Sequence, residues 1–257
     1  MKRDANRSVA LDRAQDEAKR DEDQVQPAVS VGRWAWEWIK SIAIAVVLFL
    51  VIRTFLVEAF RIPTGSMEKT LLVGDFLLVN KAVYGAQLPG TNIELPAFGS
   101  PKRGDIIVFT PPHEPDKNYV KRLVGEPGDT LEMHDKVLYI NGEPQVEPYV
   151  QHTDPSGQSV HLPEMYWQRN YLAPGVDPDQ YHPTRDDWGP IVVPEGHYFV
   201  LGDNRDDSED SRYWGFVEES AIKGKPLFIY YSFDPNVLRP FPWITEIRWD
   251  RIGGTIH

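Results

Sequence analysis

The sequence predicts a mainly β protein tethered by one N-terminal apolar helix. Three observations carry that reading. An uncharged run from Ser41 to Ile52 lies just behind Trp34, Trp36 and Trp38. Beyond residue 60, short apolar runs are punctuated by Gly-Asp pairs at Gly74, Gly104, Gly128 and Gly202. The 257 residues also include 22 prolines, which break helices but suit turns and sheet edges.

The elements follow in order. Residues 1–30 carry six Lys or Arg and seven Asp or Glu, with only scattered apolar residues. Such a stretch buries too little apolar surface to offset its ordering entropy, so residues 1–33 are expected to be a disordered, charged tail. Residues 34–58 form the expected transmembrane anchor. Counted to Val57, the apolar run reaches the roughly 20 residues that a spanning helix needs, provided Lys40 and Arg53 snorkel to the interfaces. The three tryptophans stand where an interfacial aromatic belt belongs. The run ends in Leu56-Val57-Glu58-Ala59, which lacks the small-x-small pattern of a signal-peptide cleavage site.

Residues 59–257 form the expected β domain. Three of the Gly-Asp turns open the runs FLLV, IIVF and TLEM. Val137–Ile140 runs into Asn141-Gly142, a strong hairpin signal. Residues 148–190 show no clear period and read as irregular. Strand character returns in IVV, HYFVLGD and PLFIYYSF.

Composition excludes several classes. With no cysteine, the chain has no disulfide, no thiolate zinc site and no cysteine nucleophile. A net charge of −11 makes nucleic acid a poor partner. The excess is local: residues 1–60 hold nine positive and nine negative side chains, and 61–257 hold 18 and 29. Charge cannot then draw the β domain to an anionic membrane, so apolar residues are expected to make that contact: Phe60, Ile62 and Trp243. There is no HExxH, GxSxG, P-loop or dinucleotide fingerprint, so no metal and no cofactor are expected. The seven histidines mostly lie beside Pro or Asp and read as loop residues.

Three segments could carry chemistry. Ser66 follows Pro63-Thr64-Gly65, a turn that can present a hydroxyl, although such turns are common. Lys121 interrupts the apolar run 119–124. Alternation puts Tyr119, Lys121 and Leu123 on one strand face. Burial there disfavours the ammonium and makes lysine a base near neutral pH, whereas an edge-strand lysine would simply reach water. Residues 201–215 interleave charges of both signs and end in Tyr-Trp-Gly. They read either as a solvated loop or as a hydrogen-bonded cluster that fixes a site.

Taken together, these segments resemble the bacterial type I signal peptidases, or leader peptidases. The resemblance covers about residues 50–257. It runs from the Arg-Thr-Phe-Leu exit of the anchor through Pro63-Thr64-Gly65-Ser66-Met67, Gly74-Asp75, Arg103-Gly104-Asp105 and Tyr119-Val120-Lys121-Arg122. It ends at Gly202-Asp203-Asn204-Arg205 with Ser208, Asp210, Ser211 and Arg212. Each box is weak alone, and their order is specific.

The resemblance implies a protein of the bacterial inner membrane with a cytoplasmic N-terminus; some relatives have two transmembrane segments, whereas a single pass is expected here. Its extracytoplasmic domain would consist of coiled antiparallel sheets with an irregular insertion at roughly 126–195. It implies cleavage of exported preproteins after Ala-x-Ala-like motifs, beside the lipid bilayer and near the export channel. Ser66 would be the nucleophile and Lys121 the general base, with Ser208 hydrogen-bonded to Lys121. Thr64 and the Ser66 N–H would form the oxyanion hole. Asp203, Arg205, Asp210 and Arg212 would support the loop that carries Ser208. The walls of two shallow pockets, suited to small side chains, would come from Ile62, Met67, Leu71, Leu77, Val108, Tyr119 and Val120.

Three residues of this chain also depart from the family pattern. Lys69 stands where relatives commonly carry proline, and a looser turn is expected there. Asp207 replaces a common Asn, and Thr64 a common Ser. Two other readings compete: a Ser/Lys processing peptidase dedicated to few substrates, and a non-catalytic anchored β module.

Overall fold

The computed structural model describes residues 31–85, 97–157 and 160–256. Most of the predicted tail therefore lies outside the described residues. The first helix, α1, spans Val31–Phe55, so residues 31–33 are helical rather than part of a tail. Its 25 residues reach about 38 Å at 1.5 Å per residue, more than the ~30 Å hydrocarbon core of a bilayer. The apolar window within Gly32–Phe55 has a mean hydropathy of 2.0, and none of it is buried against protein. An apolar helix with no protein partner is suited to lipid. Trp34 and Trp38, one turn apart, pack with ring centroids 5.8 Å apart.

The helix stops three residues short of the predicted 58 because Val57–Arg61 pairs as a strand, β1. The following strands are β2 (Asp75–Asn80), β3 (Ile106–Phe109), β4 (Tyr119–Gly125), β5 (Thr130–His134) and β6 (Val137–Ile140). Then come β7 (Glu143–Pro144), β8 (Trp188–Val192), β9 (His197–Leu201), β10 (Val217–Glu218) and β11 (Ile222–Ser232). They form a seven-stranded sheet in the order β1-β2-β11-β3-β4-β9-β10 and a four-stranded sheet in the order β7-β6-β5-β8. Every strand pairing is antiparallel. β11 is long enough to serve both β2 and β3, and its register shifts bend the sheet.

Each Gly-Asp turn before an apolar run does lead into a strand. The Asn141-Gly142 hairpin is also present, with both residues at positive φ (54° and 83°) as a two-residue turn between β6 and β7 requires. A second such turn, Asp135-Lys136 (φ 47° and 69°), joins β5 to β6 without any glycine. The insertion is more ordered than its sequence suggests, because the four-stranded sheet lies within it. Residues Pro163–Tyr171 form a 3₁₀ helix that buries Met165 and Gln168. Trp167 and Tyr171 meet Phe216 edge-on, with centroids 5.1 and 5.0 Å away. Two short helices complete the domain: α2 (Ser211–Trp214) and α3 (Pro242–Thr245).

Candidate active site

The serine loop leaves β1 and returns to β2. Ile62 N–H donates to the Asp75 carbonyl (2.8 Å) and Gly74 N–H to the Ile62 carbonyl (3.0 Å), closing the neck of the loop. Within it, Glu68 N–H donates to Gly65 O (2.9 Å) and Leu71 N–H to Met67 O (2.7 Å), a tight turn just past the serine. Met67 and Leu71 are buried and hold the turn on the core. Ser66 rides on that anchored turn and is 8% exposed.

Lys121 comes from β4. Its partner β9 pairs only from Arg122 onward, so Tyr119–Lys121 has no strand on that side among the described residues. The side chain is 4% exposed, and Nζ lies 2.5 Å from Ser66 Oγ. The Tyr119 ring is on the same face, 5.8 Å from Nζ. Burial is the dominant influence and pulls the lysine down from its ordinary 10.5 to about 8. Asp210 opposes that shift, and Arg212 adds to it.

The third segment packs around these two. Asp203 is fully buried and takes a two-pronged bond from Arg122, with Nε 2.8 Å and Nη2 2.7 Å away. The same carboxylate accepts from Thr70 Oγ1 (2.5 Å), which ties the lysine strand to the serine loop. Arg205 donates to Glu147 (2.6 Å) and to the Gly202 carbonyl (3.2 Å). Arg212 forks onto Asp210 (2.8 and 2.9 Å) and reaches the Arg205 carbonyl (2.6 Å). Burial acts most strongly on Asp210 and would raise its pKa. The charge and hydrogen bonds of Arg212, aided by Lys121 and the Gly202 N–H, outweigh it and lower the value.

Several expectations need correcting. Ser208 Oγ donates to Asp210 Oδ2 (2.7 Å) and makes no hydrogen bond to Lys121. The ionised carboxylate of Asp210, two residues along, takes the hydroxyl proton in a charge-assisted bond. Leu71, Leu77 and Val108 are fully buried and are not among the residues lining the cleft beside Ser66; they pack in the core cluster that holds Ile62 and Met67. Ile62 is also buried, so it offers no membrane contact from this position, although it does line the cleft. Lys69 sits at φ 80°, and its exposed side chain reaches across to donate to the carbonyls of Pro148 (2.5 Å) and Val150 (3.2 Å), a link that a proline could not make.

Two residues outside the predicted set hold the site. Asn204 N–H donates to the Ser66 carbonyl (3.1 Å) and its side chain to the Gly65 carbonyl (3.3 Å). Gly202 passes so close that a methyl group there would stand 2.5 Å from the Ser66 carbonyl. Glycines are hard to single out because a sequence does not show which backbones approach each other. Among the described residues no group of three His, Asp or Glu side chains is placed to hold a metal ion.

The cleft above the pair has a volume of about 860 Å³. It is lined by Phe60–Met67 and Lys117–Lys121, together with Glu164, Tyr213 and residues 206–209. Of the predicted wall residues it brings together Ile62, Met67, Tyr119 and Val120. Thr64 lines it as well, exposed and with no side-chain hydrogen bond among the described residues.

A curled β domain whose cleft holds a serine hydroxyl against a buried lysine fits a class, the serine hydrolases. Comparison with known proteins narrows it. Residues 35–231 match the family described as signal peptidase, peptidase S26. A signal peptidase I of Pseudomonas aeruginosa is 40% identical over 243 residues, covering 86% of this chain and 79% of that one. A signal peptidase I of Aquifex aeolicus is 36% identical, covering 79% of this chain and 86% of that one. The solved structure of a signal peptidase I from Enterococcus faecalis V583 is 34% identical and covers 49% of this chain and 96% of that one, with a TM-score of 0.33. The chain belongs to the signal peptidase family, peptidase S26, and is a serine endopeptidase.

Proposed function

We propose that Ser66 is the nucleophile and Lys121 the general base of this peptidase. The reaction is signal-peptide cleavage, the activity of the family to which the chain belongs. The contact of 2.5 Å between Lys121 Nζ and Ser66 Oγ carries the assignment. At that distance a neutral amine accepts the serine proton as Oγ attacks the scissile carbonyl carbon. The negative oxygen that forms is received by the Ser66 N–H and the Thr64 hydroxyl, and each aimed donor contributes on the order of 10²–10³ in rate. The C–N bond then breaks, and Lys121 returns its proton to the leaving amine. Water, deprotonated by the same lysine, releases the acyl group and restores Ser66.

The substrate is an extended segment of an exported preprotein. Its backbone pairs beside Tyr119–Lys121, on the side of β4 that β9 leaves uncovered among the described residues. Ile62, Met67, Tyr119 and Val120 form shallow walls that accept small side chains and exclude large ones by overlap. In the cell α1 crosses the inner membrane with its N-terminus in the cytoplasm, and the β domain works outside, near the export channel. The test is cleavage of a reporter preprotein carrying an Ala-x-Ala site. Ser66→Ala and Lys121→Ala should each abolish cleavage in a folded protein; near-normal turnover by either variant would refute the pair.

A further inference from the structure

We infer that Lys69 is a positioning residue for Ser66, joining the serine loop to a strap formed by residues 147–151. This rests on the reading of Ser66 as nucleophile. Lys69 lies three residues beyond Ser66, inside the turn that anchors it. Its φ of 80° belongs to the left-handed region, which a proline ring, held near −65°, cannot enter. The turn is therefore built differently from a proline turn. A residue with a side chain persists in that conformation where its surroundings hold it there.

The surroundings here are the strap. The Lys69 ammonium donates to the carbonyls of Pro148 (2.5 Å) and Val150 (3.2 Å), two charge-assisted bonds from one side chain. The strap is itself tied to the other two parts of the site. Gln151 N–H donates to the Asp203 carbonyl (2.8 Å), and the Gln151 carbonyl accepts from Arg205 N–H (3.0 Å), forming a parallel bridge beside Asn204. Glu147 accepts from Arg205 (2.6 Å) and from the Tyr149 hydroxyl (2.9 Å). The Tyr149 ring lies under the Arg122 guanidinium, with its centroid 3.7 Å away, next in sequence to the lysine base.

One strap thus touches the serine loop, the lysine strand and the 202–205 loop. Lys69 is its side-chain link to the serine loop. A role for part of the insertion follows: residues 147–151 brace the geometry on which proton transfer from Ser66 depends.

The test uses the full-length protein in detergent micelles with a reporter preprotein. Lys69→Gly keeps the backbone conformation accessible and removes the amine. Lys69→Met removes the amine alone, and Lys69→Arg restores a cation. Because small misplacements of reacting groups are costly, kcat should fall about tenfold in the Gly and Met variants, with KM nearly unchanged and most of the rate recovered in the Arg variant. Phosphonylation of Ser66 by a serine-directed fluorophosphonate, in which Oγ bonds to phosphorus and fluoride leaves, should slow in parallel, while Tm shifts by no more than a few degrees. A Gly variant with wild-type kcat would overturn the inference. So would a loss of rate that only follows a loss of folded protein. Ser66→Ala separates the two levels: an active Ser66→Ala defeats the site itself, whereas an inactive one beside unaffected Lys69 variants defeats the strap alone.

Discussion

The α-carbon of Gly202 faces the carbonyl of Ser66 across a gap with no room for a methyl group. A Cβ built at Gly202 would stand 2.5 Å from that oxygen and 2.5 Å from Ser208 Cβ. Neither neighbour can yield easily, since one is backbone and the other is the short side chain held by Asp210. Gly202→Ala should therefore push the serine loop and the Ser208 loop apart. Overpacking of this kind costs about 1–3 kcal/mol. The larger effect should be on turnover, because the displaced group carries the nucleophile. Activity assays and thermal melts together check this: a fully active variant would show that the two loops separate freely.

The pH profile should report Lys121. Its ammonium must lose a proton before the amine can accept one from Ser66, and its value lies at about 8. In the free enzyme kcat/KM should therefore be half-maximal near pH 8 and fall about tenfold per pH unit below it. An acid limb centred near 6.5, where an ordinary histidine titrates, would contradict the assignment of the base.

The same burial implies a cost in stability. The folded value of about 8 lies below the ordinary 10.5, so between them the unfolded chain holds a proton that the folded one lacks. Stability then rises with pH across that window and is reduced by the full amount below it. From pKa values of about 8 and 10.5 the reduction is about 3 kcal/mol. Lys121→Met, which fills the site with an uncharged side chain, should abolish cleavage yet raise Tm at pH 7, and the gain should shrink toward pH 10.5. Melting curves at the two pH values decide it.

Asp210 should be the converse. Its carboxylate holds Arg212, Ser208 Oγ and the Gly202 N–H in a fully buried position. Asp210→Asn leaves the Arg212 charge without its partner, a change that typically costs about 3–5 kcal/mol. Because the folded pKa is lowered, the carboxylate's contribution is present above the ordinary aspartate range and is lost as pH falls through the folded value. Urea titrations at neutral and acid pH should show wild type and variant converging on the acid side.

Local chemistry was legible in the sequence, and proximity was not. Gly-Asp pairs and Asn141-Gly142 act over a few residues, and their strands and hairpin are where the pattern puts them. Alternation also placed Lys121 on the face of Tyr119, as the ring contact shows. Ser66 and Lys121 are 55 positions apart, and no local rule joins them; the order of the boxes did that. Leu71, Leu77 and Val108 show the limit: an apolar residue near a site can be wall or core, and only packing separates the two. Asp135-Lys136 escaped notice because it adopts a glycine-like turn without glycine.

The domain's attachment to lipid is the last consequence. Its charge of 18 − 29 = −11 over residues 61–257 opposes an anionic surface. Ile62 cannot help, being buried, and Phe60 is packed against the core. Exposed apolar area concentrates instead near α3, where Leu238, Phe241, Trp243 and Ile244 each stand more than half exposed. Two aromatic rings there, Phe241 and Trp243, pack edge-on with centroids 6.2 Å apart. A chain of residues 56–257 keeps β1, which truncation at 61 would delete. That chain should bind anionic vesicles, and binding should persist when salt is raised to about 1 M, where charge attraction is screened within ~3 Å. Replacing Phe241 and Trp243 by alanine should weaken it by at least tenfold, since each buried ring contributes about 1.5–3 kcal/mol. Release by salt, or full binding by the double variant, would place the contact elsewhere on the domain.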